Sequence, residues 1–307
     1  MPTQLSASLS TTQLQNLDLN LDQALDQTLS FHFSHLRLAS YWHKLEFTPH
    51  HYRFSQLTEI LTRCQQAHQN VVLTLGVKAP RWPEYYWPDF IENKNFDSSA
   101  TQQSILDYLA KMITKLKHFS CITHWQIENE PLNPSGPNNL VMPFSFLKTE
   151  VELVKSLDDR PIVMTVWGND FHTQNSFSQI ATIADVIGLD LYYQQFVCQI
   201  LGKSVYLGPR QTDQALVAMI KSTHQPVWIT ELQAEPWEKD FTSYCADQTS
   251  SLNPKLLIKN LNRARQLPVD EIFLWGLEYW LWRSKQGDDR YCQLVRLQSQ
   301  NDTLKIN

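Results

Sequence analysis

Two short segments place carboxylates where a chain can do chemistry with them. The first, HWQIENEP (His124–Pro131), ends in Asn129-Glu130-Pro131; the second, WITELQAEPW (Trp228–Trp237), carries Glu231 directly after an apolar, β-branched stretch. Proline cannot continue a strand ladder, so the first run stops with Glu130 at its carboxyl end. A pair of carboxyl groups is what glycosidic-bond hydrolysis needs. One protonates the leaving oxygen. The other attacks the anomeric carbon and forms a glycosyl-enzyme, which water releases with the first group now acting as base. A separation of about 5–5.5 Å goes with this retaining route, and about 6.5–9.5 Å with inversion.

Elements able to hold such a pair recur along the chain. Strands are expected at Gln4–Ser8, His35–Ala39, Val71–Leu75, Thr123–Glu128, Pro161–Val166, Asp185–Leu191, Val227–Thr230 and Glu271–Trp275. Helical spacing fills the intervals: Thr11–Leu29, Phe54–His68, Ser99–His118, Phe144–Leu157, Phe177–Ile183, Gln211–Ser222 and Pro254–Gln266, with Arg290–Gln298 as the closing helix. Strands alternating with helices imply parallel pairing, and eight such units imply a closed (β/α)8 TIM barrel of the α/β class. The 307 residues suit one barrel domain over 1–307, and no composition break divides them. No G-x-G-x-x-G follows the first strand, which argues against a dinucleotide fold. Long loops follow strands 3, 4, 6 and 7 (Gly76–Ser98, Glu130–Pro143, Tyr192–Pro209 and Glu231–Asn253), so chemistry is expected on that face.

Composition narrows the partners. Net charge is −5 with no Lys/Arg run, which disfavours nucleic acid. No run approaches ~18 apolar residues and the start lacks a basic, apolar leader, so a soluble cytoplasmic protein without a membrane partner is expected. Five scattered Cys without a CxxC give neither a disulfide framework nor a thiolate zinc site. No HExxH or His/Asp cluster has metal spacing, so neither metal nor cofactor is expected. Ser34 and Ser40 lack the GxSxG context of a serine hydrolase. Ten Trp, several beside Pro or charge, suit a carbohydrate substrate, since sugar faces stack on aromatic planes. Oligomeric state is not written in these features.

The ordered motifs resemble the clan of retaining (β/α)8 glycoside hydrolases that includes cellulases, xylanases and β-galactosidases. The resemblance rests on Asn129-Glu130-Pro131 after strand 4, Glu231 at strand 7, and Arg37 in HLRLASYW on strand 2; Tyr41–Leu57 also matches a clan segment, with Phe47 where Pro is usual. It implies Glu130 as acid/base and Glu231 as nucleophile. Asn129 would then bond the sugar 2-hydroxyl, and Arg37 would help keep Glu231 ionised. Tyr192 or Tyr193 would donate to the nucleophile, with Tyr192 slightly preferred. Trp275 and Trp82 are candidate sugar platforms, and Glu235 and Glu278 candidate binders of sugar hydroxyls.

Blander roles compete. A lone strand-end Glu is usually solvated or ion-paired. Arg37 would serve equally as an ion-pair partner of Glu128, two residues before Glu130 and expected on the same strand face. Glu235 and Glu278 would sit in loop ion pairs, the Trp side chains in the core, and His124 as a packed barrel residue. The leading expectation is a retaining glycosidase for a β-linked oligosaccharide or glycoside. A non-catalytic carbohydrate-binding barrel and a transglycosidase using the same intermediate are the alternatives.

Overall fold

The computed structural model describes residues 3–303. Eight strands form a closed barrel: β1 (Gln4–Leu9), β2 (His35–Ala39), β3 (Asn70–Leu75), β4 (Ile122–Ile127), β5 (Ile162–Trp167), β6 (Val186–Leu191), β7 (Val227–Gln233) and β8 (Glu271–Trp275). Their hydrogen-bonded order is β1-β8-β7-β6-β5-β4-β3-β2, the sequential order of a (β/α)8 barrel. Pairing is parallel, as in Leu36 to Ala39 against Val71 to Thr74 and in Leu73 to Leu75 against Trp125 to Ile127. By Cα proximity the chain groups into two compact units, residues 1–34, 167–174 and 188–307 in one, and 35–166 and 175–187 in the other.

The strands form where the sequence offers continuous apolar runs. From Val71 to Leu75 every residue is buried, as a parallel strand covered on both faces requires. Each such Val or Leu contributes roughly 1.5–3 kcal/mol on burial. The helices bury one stripe each. Ser55–Gln66 buries Leu57, Ile60, Leu61 and Cys64, and Ser99–Leu116 starts at a Ser98 cap whose hydroxyl accepts from the Thr101 N–H at 3.3 Å. Among the described residues no helix is long and apolar enough to cross a membrane.

Four expectations need correction. The single helix over Thr11–Leu29 is two, Thr11–Asn16 and Leu21–Leu29. Asp18 takes a positive φ of 51° between them, and Asn20 caps the second by accepting from Gln23 N–H at 3.0 Å. Local side-chain capping thus outcompeted the leucine repeat. The loop Tyr192–Pro209 contains an antiparallel hairpin, Gln195–Ile200 with Lys203–Leu207. Its turn is Leu201-Gly202, both at positive φ, as a two-residue hairpin turn demands; an Asn-Gly or Asp-Gly signal was missing. A helix, Leu277–Lys285, follows β8 at once and precedes Arg290–Thr303. Finally, β7 does not stop at Thr230 but runs on to Gln233 through an irregularity.

Gly276 makes the sharp exit from β8 possible. Its φ is +142°, and a Cβ there would lie 2.5 Å from the Ala234 carbonyl oxygen. Gly276→Ala is expected to cost about 2 kcal/mol or more, from strained backbone and forced separation of the turns after β7 and β8. Thermal unfolding checks this; an unchanged Tm would contradict the packing.

Candidate active site

At the end of β4 the chain leaves regular strand geometry. Glu128 and Glu130 both have positive φ, 57° and 43°. This breaks the alternation that would have set their side chains on one face. Asn129 and Glu130 then sit in a tight polar frame. Arg37, buried on β2, donates from Nε to Gln126 Oε1 at 2.7 Å and from Nη2 to Asn129 Oδ1 at 2.6 Å. The Gln126 amide returns a bond to the Glu128 carbonyl at 2.8 Å. The Glu130 N–H donates to Thr165 Oγ1 on β5 at 2.7 Å, and its carbonyl accepts from Lys78 Nζ at 2.7 Å. A guanidinium this deeply buried is tolerable only with such acceptors. Arg37 is therefore an anchor for Asn129.

Glu128 points elsewhere. Its carboxylate accepts from the Val77 and Lys78 N–H groups at 2.9 and 2.5 Å, closing the turn after β3. Gly76 makes room: its φ is +118°, and a Cβ there would fall 2.1 Å from Glu128 Oε1. Behind Glu128 lies Glu150, on the buried stripe of Phe144–Leu157 that also carries Phe146 and Val154. Both carboxyls are fully buried. Burial, opposed by the two N–H bonds, pushes Glu128 up to about 7. Burial and then the Glu128 charge push Glu150 well above the carboxylate range. Two buried carboxyls side by side resist double ionisation. Glu128 has the two N–H donors, so of the pair it is the better placed to carry the charge.

The β7 side is built differently. Three β7 residues, Thr230 to Leu232, stand against two of β8, an irregularity that re-aims side chains at Thr230 and Glu231. Thr230 Oγ1 donates to Asp190 Oδ1 on β6 at 2.6 Å. The Tyr192 hydroxyl donates to Glu231 Oε2. Asn169 fixes Tyr192 from both sides, accepting its N–H at 3.0 Å and donating to its carbonyl at 2.5 Å. Tyr193 instead faces Arg263, whose guanidinium lies 4.4 Å from its ring centre. The choice between the two tyrosines thus falls on Tyr192. Around it stand Trp237, edge-on at 4.9 Å, and Trp167 at 5.3 Å.

The other expected site residues are accounted for. Glu235 accepts from the Tyr244 hydroxyl at 2.9 Å, and Glu278 from the Ser10 N–H; both are buried. Trp275 is buried, with its carbonyl bonded to Ala234 N–H at 2.8 Å. Trp82 is 69% exposed at the tip of the loop after β3. His124 packs edge-on against His35 at 5.5 Å. Lys78, Thr165, Asn169, Trp167 and Trp237 went unpredicted. Lys78 and Trp237 lie in segments read for their other residues, and the roles of Thr165 and Asn169 depend on pairings no local spacing reveals.

The sequence matches no family model and no curated protein. Solved structures do share the (β/α)8 barrel fold of glycoside hydrolases. One is a β-galactosidase from the psychrophilic Marinomonas ef1, with a TM-score of 0.66 and 11% identity over 97% of this chain and 59% of that one. Another is an exo-β-1,4-mannosidase from Opitutaceae bacterium strain TAV5, at 0.64 and 14% over 98% and 60%. A third is a GH5_18 protein of Bifidobacterium longum in complex with Manβ1-4GlcNAc, at 0.63 and 11% over 89% and 68%. The chain therefore spans about three fifths of the first two.

The carboxyl pair sets a pH dependence. Both groups hold their proton more tightly folded than unfolded. The Glu128 contribution is full below about pH 4.5, the ordinary carboxyl value, and is lost as pH rises through about 7; that of Glu150 runs in the same direction. Glu150→Gln keeps a donor to Glu128 without a titrating proton. Wild type is expected to lose about 1–3 kcal/mol relative to this variant between pH 5 and 8. Parallel Tm-against-pH curves would contradict the raised carboxyl pair.

Proposed function

We propose that this barrel is a retaining glycoside hydrolase cleaving β-linked oligosaccharides or glycosides, with Glu130 as acid/base and Glu231 as nucleophile. The observation that carries the reading is the Tyr192 hydroxyl donated to Glu231. A hydroxyl aimed at one carboxyl oxygen fixes the orientation of the side chain, and a nucleophile needs a fixed line of attack. Strand order supports the pairing, since β4 and β7 lie three steps apart in a closed parallel barrel and barrel enzymes act at the carboxyl ends of their strands.

In this reading Glu231 attacks the anomeric carbon while the Glu130 carboxylic acid protonates the departing oxygen. The glycosidic C–O bond breaks and a covalent glycosyl-Glu231 ester forms. Glu130, now a carboxylate, takes a proton from water, whose oxygen displaces Glu231 with net retention. Asn129, locked by Arg37, presents its amide N–H to the sugar 2-hydroxyl, a contact that strengthens in the transition state. Trp237 and Trp167 beside Tyr192 supply an apolar sugar-facing wall, and Trp275, Glu235, Glu278 and Trp82 remain candidates for outlying contacts. The mannosidase and β-galactosidase neighbours make β-mannosides and β-galactosides the first substrates to try.

With an aryl β-glycoside, proton NMR of the first-formed sugar is expected to show the β-anomer. Glu231→Gln is expected to lower kcat by at least about 10³-fold, and Tyr192→Phe by about 10²-fold. First-formed α-anomer, or an undiminished Glu231→Gln variant, would refute the assignment.

A further inference from the structure

Lys78 is a buried charge that this chemistry leaves unused. Its ammonium donates to the backbone carbonyls of Glu130 at 2.7 Å and Asn133 at 3.1 Å, pairs with Glu84 at 3.4 Å, and lies 5.6 Å from the Tyr85 ring centre. Its own N–H, with that of Val77, is held by the Glu128 carboxylate. Glu150 is the buried carboxyl neighbouring Glu128. A continuous polar chain therefore runs from the helix Phe144–Leu157 through Glu150, Glu128 and Lys78 to the Glu130 carbonyl. Thr165 takes the Glu130 N–H, so both peptide groups of Glu130 are pinned.

The clamp answers a specific need. Glu130 has φ +43°, a left-handed conformation that costs a non-glycine residue on the order of 1–3 kcal/mol and persists only when its surroundings impose it. A neutral hydrophobe at position 78 would leave the Glu130 carbonyl with the Asn133 N–H alone, at 3.0 Å, and would remove the ammonium from the Asn133 carbonyl and from Glu84. The Glu130 turn would lose its one ionic tie, and a shift of about 1 Å in a reacting group costs about 10²-fold in rate.

We propose that Lys78, braced by the Glu128–Glu150 pair, is a positioning residue that aligns the Glu130 carboxyl for proton donation to the leaving group. The proposal rests on the reading of Glu130 as acid/base, and leaving-group chemistry tests it. A phenyl glycoside needs protonation as its bond breaks, whereas a 2,4-dinitrophenyl glycoside departs without it. Misalignment of the acid therefore penalises the first and spares the second, while general loss of folded enzyme lowers both equally.

The experiment measures kcat/KM for phenyl and 2,4-dinitrophenyl β-glycosides of mannose, galactose and glucose, well below each variant's Tm. For Lys78→Met the phenyl substrate is expected to fall about 10²-fold and the dinitrophenyl substrate less than about threefold. Should that variant not fold, Glu150→Leu is expected to show the same split, and Glu150→Gln, which keeps a donor to Glu128, to recover most of the loss. Equal losses on both substrates, or none, overturn the positioning role. Glu130→Gln is the control. If it splits the two substrates and the Lys78 and Glu150 variants do not, only this inference fails. If it shows no split, or wild type turns over none of the probes, the acid/base reading fails and takes this inference with it.

Discussion

A carboxylate taken out of water has to be matched by donors, by a cation or by a proton, and the strand ends of this barrel are organised around that constraint. Glu128 is matched by two backbone N–H groups, and burial still raises it to about 7. Glu231 receives the Tyr192 hydroxyl, Asp190 that of Thr230, Glu235 that of Tyr244, and Glu278 the Ser10 N–H. Each match also fixes a piece of backbone. The turn after β3 closes on Glu128, and the start of the first helix on Glu278. Satisfying these charges and shaping the rim are thus one structural problem.

The two proposed reacting carboxyls are held by contrasting means. Glu130 stands on strained backbone whose peptide groups are secured by Thr165 and Lys78, with Asn129 beside it fixed by Arg37. Glu231 stands on a strand irregularity and is held by its side chain through Tyr192, itself clamped by Asn169. The contrast suits the proposed labour. A proton donor that alternates between acid and base needs its backbone held rigid. A nucleophile benefits from a donor that orients one of its oxygens.

Much of this was legible in the sequence. Runs such as VVLTL, and the leucine and isoleucine stripes between them, have periods that admit little else, and all eight barrel strands appeared near their expected places. Glu130 stood out because Pro131 ends its strand run; Glu231 stood out at the end of a β-branched run, although its strand continues to Gln233. Conformations set by single residues were less legible. Glu128 was expected on the face of Glu130, but two positive φ angles separate them, and no composition signal announces a left-handed glutamate. The Leu201-Gly202 turn hid a hairpin for the same reason. Nothing local marks Glu150 within the expected helix Phe144–Leu157, because the carboxyl it neighbours lies on an element distant in sequence. Partnership across sequence distance is likewise what kept Lys78, Thr165 and Asn169 out of the expected site.

The most direct test of the account is covalent trapping of the intermediate. Wild-type protein is incubated with 2-deoxy-2-fluoro β-glycosyl fluorides of the mannose, galactose and glucose series, digested, and the labelled peptide sequenced by mass spectrometry. The account predicts stoichiometric inactivation by at least one probe, with the sugar esterified to Glu231 and slow recovery as the ester hydrolyses. Label on a different carboxylate, or turnover of the matching glycoside without any trapped intermediate, would contradict it.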